Sequence, residues 1–279
     1  MIKPYQSHDA LLADIERARS ESSIAHLWWL GQSGFLLQAH GNHLLFDPYL
    51  SDSLTKKYAT TDKPHVRMTE LVVDPLRLNF VDVVTSTHNH TDHLDAETLV
   101  PLLQANSNIA VVVAAANREF SADRLRVPAE RLIGVDAGES FTAAGFTIRA
   151  VPAAHENIDR DELGRCRFVG FVVECDGKTI YHSGDTVLYD GMVQQLRRWN
   201  IDVALLPING RAPERRVAGN LSGREAAQLA KEIGARIVIP CHYEMFEFNT
   251  ATTDEFLNTA RKIGQPVQVL RAGERFSVR

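Results

Sequence analysis

The sequence lacks any run approaching the roughly 18 to 20 apolar residues that a bilayer-spanning helix needs, so a transmembrane helix is not expected. It also lacks an apolar stretch with a small-residue cleavage site near its start, where Met1 to Glu21 are polar. Secretion is therefore not expected, and a cytoplasmic location is. Cysteine is scarce. Cys166, Cys175 and Cys241 are far apart and odd in number, matching neither a disulfide framework nor a Cys-x-x-Cys zinc site; they read as reduced structural thiols. A basic surplus is missing as well, since 30 Lys and Arg stand against 35 Asp and Glu for a formal net charge of −5. Non-specific polyanion binding is not the default for such a chain, and nucleic acid is not an expected partner. Low-complexity tracts, repeats at solenoid periods and Ser/Gly-rich linkers are absent too. The 279 residues read as one domain, 1–279, and leave the oligomeric state open, a homo-oligomer included.

What is present is ordinary globular composition, 44% hydrophobic and 23% charged, enough for a sizeable core. Leu11, Leu12, Ile15 and Ala18 recur at helical spacing and predict a helix over Asp9–Glu21. Strands are predicted at Ala25–Leu30, Phe35–Gln38 and His43–Phe46, with Gly31, Gly34 and Gly41 marking turns. Trp28 and Trp29, adjacent on a strand, face opposite sides, and at least one belongs to the core. The polar region 51–69 reads as a long surface excursion, equally a functional loop or a solvated one. From Val81 the texture changes. Apolar strands at Val81–Ser86, Ile109–Ala114 and Arg131–Val135 alternate with helices at Glu97–Gln104, which Pro101 should shorten or kink, and at Ala116–Asp123. Further strands are expected at Phe146–Val151, Arg167–Glu174, Thr179–His182, Val203–Leu206 and Arg236–Ile239. Helices are expected at Tyr189–Asn200, at Arg224–Ile233 with Ser222 as its cap, and at Asp254–Lys262. Strand meanders at both ends with helices interspersed suggest two packed sheets with helices outside, an α/β (α+β) arrangement.

The chemistry concentrates at strand ends. Thr87-His88-Asn89-His90-Thr91-Asp92-His93 follows a buried-strand pattern. Residues two apart on extended backbone project to one side, so His88 and His90 can pinch one cation, while a turn would swing Asp92 and His93 towards a second. Taken alone, the segment could also be a solvated loop or an adventitious nickel-binding patch. His155 follows the strand ending at Val151, Asp185 follows Thr179–His182, and His242 follows Val238-Ile239-Pro240-Cys241. Each alone is as readily a satisfied hydrogen-bonding group, but four strand ends each offering a ligand are not independent coincidences. Imidazole and carboxylate suit zinc, manganese or iron.

The set His-x-His-x-Asp-His, a distant His, Gly-Asp-Thr and a late His resembles the metallo-β-lactamase-fold hydrolases over nearly the whole chain. Within them it resembles the L-ascorbate-6-phosphate lactonase group through Leu27-Trp28-Trp29-Leu30-Gly31, Tyr181-His182-Ser183-Gly184-Asp185, Ile201-Asp202-Val203-Ala204-Leu205 and Val238-Ile239-Pro240-Cys241-His242. The resemblance implies a four-layer αββα sandwich with a dinuclear centre at one edge. It places His88, His90 and His155 on the first metal, Asp92, His93 and His242 on the second, and Asp185 between them. The implied cofactors are two divalent ions, Zn2+ or Mn2+, and the implied activity is hydrolysis by a metal-activated water, with Asp92 as the catalytic proton carrier. The implied substrate is a lactone or ester of a small, sugar-like metabolite that can carry a phosphate. A phosphodiesterase on a small phosphodiester or nucleotide is the enzymatic alternative, and a metal-containing binding module without turnover the non-enzymatic one.

Beyond the ligands, Asp82, Asp95 and Glu156 are candidates to support ligand histidines, with Asp95 equally a helix cap. His182 is either such a support or a satisfied strand-end histidine. Asn209 and Arg211, following the strand that ends at Leu206, and Tyr243, beside His242, are the candidate substrate contacts, Arg211 through an anionic group.

Overall fold

The computed structural model describes the backbone of residues 1–279 and every side chain except that of Pro213. Helix α1 (His8–Ala18) buries Leu11 and Ile15, and its Asp14 accepts a hydrogen bond from Trp28 Nε1 at 2.9 Å. Antiparallel strands β1 (Ala25–Gly31), β2 (Gly34–Ala39) and β3 (Asn42–Phe46) follow. Almost every residue in them is buried, because the sheet is covered on both faces. Both tryptophans are core: Trp28 is held by Asp14, and Trp29 stacks on Tyr243 with ring centroids 4.4 Å apart.

The 51–69 region is a built wall rather than a solvated loop. It carries a short helix, α2 (Ser53–Tyr58), and Leu54 joins Tyr49, Met245 and Phe246 in a small apolar cluster. The Arg67 guanidinium ties the region together, donating to Asp52 at 2.6 Å and to the carbonyls of Ser51 and Thr69.

Strands β4 (Val83–Ser86), β5 (Ala110–Ala114) and β6 (Leu132–Val135) then extend the sheet in parallel, with crossover helices α3 (Ala96–Ala105) and α4 (Arg118–Leu125). Helix α3 runs through Pro101 and four residues beyond it. Asp95 caps that helix, accepting from Glu97 N and from the Ser51 and Thr98 hydroxyls, which settles its role as structural.

A second sheet is built from antiparallel β7 (Ser140–Ala143), β8 (Phe146–Pro152), β9 (Val169–Cys175) and β10 (Lys178–His182), to which β11 (Val203–Pro207) and β12 (Ile237–Cys241) add in parallel. Strand β7 has only partly buried apolar residues and escaped the periodicity reading. The helix expected over Tyr189–Asn200 shrinks to α5 (Met192–Leu196). Gly191 enters it at φ 86°, a left-handed geometry that starts the helix late, and the Tyr189 hydroxyl is spent on the Pro152 carbonyl. Helix α6 (Gly223–Glu232) opens with a capping box between Ser222 and Glu225, as the sequence suggested, and packs on β11 and β12. Helix α7 (Asp254–Ile263) lies against α6, and β13 (Arg275–Val278) returns to the free edge of β1.

The two sheets, ordered β13-β1-β2-β3-β4-β5-β6 and β12-β11-β10-β9-β8-β7, share one continuous core with helices on the outside of each. That is the expected four-layer αββα sandwich. Among the described residues no helix is long and apolar enough to cross a membrane. The topology puts the C-terminal ends of β3, β4, β8, β10 and β12, together with the β1–β2 turn, on a single rim, the usual place for ligands in such sheets.

At the opposite end of β4, Asp82 accepts from the His43 backbone at 2.8 Å and lies nowhere near the rim residues it was a candidate to support. His43 itself offers a pH test. Its ring is fully buried, bonded to the Gln38 amide at 2.8 Å, and burial pulls its pKa down to about 4. The unfolded imidazole titrates near 6.5, so between those values the unfolded chain binds a proton that the folded one refuses. The stabilisation is full above about pH 6.5 and is lost as pH falls towards 4, a change of about 3 kcal/mol at most for this one group. His43→Leu is expected to flatten that part of the urea-midpoint profile. An unchanged slope would assign the loss to other histidines.

Candidate metal centre

Strand β4 delivers Thr87 and His88 at its end, and the chain turns at once, with His93 N and Leu94 N both bonding the His90 carbonyl. The turn sets Asp92 and His93 beside His88 and His90. Gly184, at φ 60°, allows the β10 end to close in: a Cβ there would lie 2.7 Å from the Thr87 side chain, so only glycine fits. Asp185 is thereby pressed against the histidine loop. His242 leaves β12 at φ 63°, an uncommon conformation for a residue with a side chain.

All seven sequence candidates converge. His88, His90 and His155 form one group, and Asp92, His93, Asp185 and His242 another, in each of which the ligand atoms lie within 4.8 Å of one another. Asp185 joins the groups, its Oδ2 being 3.7 Å from His155 Nε2 and 3.5 Å from His242 Nε2, and its Oδ1 3.3 Å from His93 Nε2.

The imidazoles are aimed by what holds their other nitrogen, as metal-ligating histidines usually are. His155 Nδ1 donates to the Gly219 carbonyl at 3.0 Å, His93 Nδ1 to Asp47 Oδ2 at 2.7 Å, and His88 Nδ1 to Thr87 Oγ1 at 3.1 Å. Each is thereby fixed with Nε2 towards the cluster. Asp47, at the end of β3, is the hub of this support and also accepts from the Thr87 amide and hydroxyl. Gln32, in the β1–β2 turn, donates to Asp92 Oδ2 at 2.8 Å and lies 3.0 Å from His242 Nε2. Neither residue was singled out in the sequence, although Asp47 carries the same signal as the ligands: a carboxylate directly after an apolar strand. Glu156 is exposed. His182 is buried, donates through Nε2 to the Ser33 carbonyl at 2.9 Å and stacks on Phe46, and none of its bonds reaches a candidate ligand.

Does the cluster fit a divalent cation? His88 Nε2, His93 Nε2 and Asp185 Oδ1 are buried without a hydrogen-bond partner among the described residues. Such groups are costly to bury unmet, and all three point into the cluster. The electrostatics agree. Burial and the neighbouring His93 and His90 charges push His88 well below its ordinary pKa, leaving the neutral ring a cation requires. Burial acts to lower His93, yet the Asp185 and Asp92 charges override it and hold that ring well above its usual value; His242 is raised to about 9 by the same two carboxylates. Asp185 is in turn kept well below the usual carboxylate range, against burial, by His93 and His242. The cluster demands positive charge beside its carboxylates, and the donor set suits zinc or manganese.

Asp47→Ala removes the acceptor that orients His93. It is expected to weaken metal binding by about 10- to 100-fold, measured by competition with a chromophoric chelator. Unchanged affinity would reduce Asp47 to a packing role.

The cluster floors a cavity of about 360 Å3, walled by Leu54, Lys57, Tyr58, Lys63 and His65 from the 51–69 region and by Arg124, Val217, Phe246 and Asn249. The three candidate substrate contacts are not on this wall. Asn209 is buried, its amide spent on Asn249 at 3.0 Å and Asn220 at 3.1 Å. Arg211 turns outward to pair with Glu225. Tyr243 points into the core, its hydroxyl donating to the Leu270 carbonyl. His242, left-handed just past the end of β12, turns its ring to the cluster while Tyr243 turns into the core against Trp29.

Residues 42–243 match the family model described as a beta-lactamase superfamily domain. Two relatives named UPF0173 metal-dependent hydrolase, from Methanoregula boonei and Opitutus terrae, are each 32% identical, over 83% and 90% of this chain and 87% and 99% of their own. In fold, the chain is similar to the metallo hydrolase Igni18 of Ignicoccus hospitalis, with a TM-score of 0.67 and 23% identity over 92% of this chain and 99% of that one. It is also similar to the metallo-beta-lactamase fold protein YhfI of Bacillus subtilis, with a TM-score of 0.66 and 20% identity over 91% and 99%. The chain belongs to the metallo-β-lactamase superfamily, within its UPF0173 family of metal-dependent hydrolases.

Proposed function

We propose that this hydrolase cleaves a lactone or related ester bond in a small, sugar-like metabolite. In this reading His88, His90 and His155 hold one divalent ion, Asp92, His93 and His242 hold a second, and Asp185 serves both. The observation that carries it is the aim of unsatisfied Nε2 and carboxylate atoms into the floor of one cavity. A cavity of about 360 Å3 lies in the small-molecule range. Zinc or manganese held there supplies a water of lowered pKa and polarises a carbonyl or phosphoryl oxygen.

The protein's own residues do the rest. Asp92 is the cluster's more accessible carboxylate, with 16% of its side chain exposed against 4% for Asp185. It orients the attacking water and carries its proton to the leaving group. Gln32 holds the Asp92 carboxylate in place, and the apolar faces of Leu54, Val217 and Phe246 exclude bulk water.

A panel of lactones run against bis-p-nitrophenyl phosphate, with elemental analysis of tag-free protein, tests the reading. Lactone turnover with little phosphodiester turnover upholds it. The reverse replaces it with a phosphodiesterase. No turnover by metal-loaded protein on either would favour a binding module.

A further inference from the structure

The cavity wall contains an arginine that forms no ion pair among the described residues. Arg124, in the last turn of α4, uses Nη1 to donate to the carbonyls of Asn89 at 2.6 Å and Leu94 at 3.3 Å, the two ends of the histidine loop. Its Nε and Nη2 make no hydrogen bond, and no carboxylate lies within 4.0 Å of it, among the described residues. One face of the guanidinium is covered by the Phe120 ring, 4.5 Å from centroid to Cζ. The group is half-buried, and burial depresses its pKa. An arginine placed this way has a flat edge of donors directed at whatever fills the cavity.

Its surroundings have the same sign. Lys57 lines the cavity against Tyr58 and has no acidic partner among the described residues, whereas its neighbour Lys56 turns out to Glu97 at 2.7 Å. Lys63 lines it too, tethered to the Arg216 carbonyl. Among the described residues the only carboxylates on the wall are Asp92 and Asp185, both taken up by the histidine cluster.

We propose that Arg124 is the anchor for an anionic oxygen group, carboxylate or phosphate, on the substrate, with Lys57 supplying a second cation. The inference rests on the hydrolase reading and specifies the class of molecule that reading leaves open. The anion meets the Nε and Nη2 edge of Arg124 as a paired hydrogen-bond acceptor. That holds the substrate over the Asn89 side of the histidine loop and presents its scissile bond to the cluster. It also moves the anion-binding role from Arg211, which Glu225 neutralises, to a helix residue.

The test is equilibrium binding to metal-loaded protein, by calorimetry, with inorganic phosphate in one arm and succinate in the other. Arg124→Gln, at metal content equal to wild type by elemental analysis, is expected to weaken one or both by about tenfold or more. Lys57→Glu, an exposed change that leaves the core alone, should weaken the same ligand. Which arm responds names the group. Wild-type binding retained in Arg124→Gln, or no binding of either anion to wild type, overturns the proposal.

Because Arg124 also braces the histidine loop, a second readout separates positioning from recognition. A matched pair of esters, one acyl chain ending in a methyl group and one in the anion that bound, is compared by kcat/KM. Recognition lowers the anionic-to-neutral ratio by about tenfold, whereas bracing alone lowers both rates together, leaves the ratio intact and overturns the assignment. If neither ester is cleaved by wild type, the hydrolase reading fails, while the binding arms still decide the anion site.

Discussion

Asp185→Ala is expected to strip the centre of metal while leaving the fold in place. Of the two carboxylates among the seven candidate ligands, only Asp185 stands within 4.0 Å of histidines from both groups, reaching His93, His155 and His242. Loss of an outer partner such as Asp47 costs about 10- to 100-fold in metal affinity; loss of a carboxylate that both groups share should cost more and should affect both at once. Protein purified and dialysed beside wild type should contain less than half its metal, and hydrolysis should be undetectable. The metal-free protein supplies an independent check. His242 is held near 9 chiefly by Asp185, so its imidazole should titrate at lower pH once that carboxylate is gone, which can be followed by NMR. Wild-type metal content in Asp185→Ala would show that the two groups do not depend on a shared carboxylate, and the bridging role of Asp185 would go with it.

How far the sequence reaches is visible in which residues it placed and which it did not. Every candidate ligand sits at the tip of a strand whose apolar run could be read directly, and strand direction then dictates that the tips of β4, β8, β10 and β12 share a rim. Asn209, Arg211 and Tyr243 follow the same rule of position, yet none faces the cavity. Position along the chain fixes where a backbone goes, but side-chain direction depends on partners that sequence does not display: Asn220 and Asn249 for Asn209, Glu225 for Arg211, and Trp29 and the Leu270 carbonyl for Tyr243. Asp47 was legible in principle and Gln32 hardly at all, because its importance comes from a turn that brings its amide to Asp92, sixty residues away. Arg124 had no signal. It lies in the last turn of a charged helix, and only the packing of α4 against the histidine loop gives it a role.

Asp92→Asn is the sharpest probe of catalysis, because it keeps the shape of the side chain while removing its ability to take a proton. In the metal-free protein burial acts to raise the Asp92 carboxyl, but the His93 charge and the His242 hydrogen bond prevail and hold it well below the usual range. It is therefore held in its ionised form, the form a cation ligand or a proton acceptor needs. General acid–base catalysis contributes about 10² to 10⁴ in rate, and a fall in kcat of that size is expected with KM little changed. The decisive comparison is with metal content. If Asp92→Asn keeps the wild-type load and loses the rate, the carboxylate moves a proton. If metal and rate disappear together, the loss belongs to Asp92 as a ligand, and restoring the load with excess metal then decides the proton role: recovery of the rate would assign the base elsewhere on the wall, where His65, half-buried between Tyr58 and Phe248, is the next titratable ring. Near-normal turnover with metal retained would remove Asp92 from the chemistry altogether.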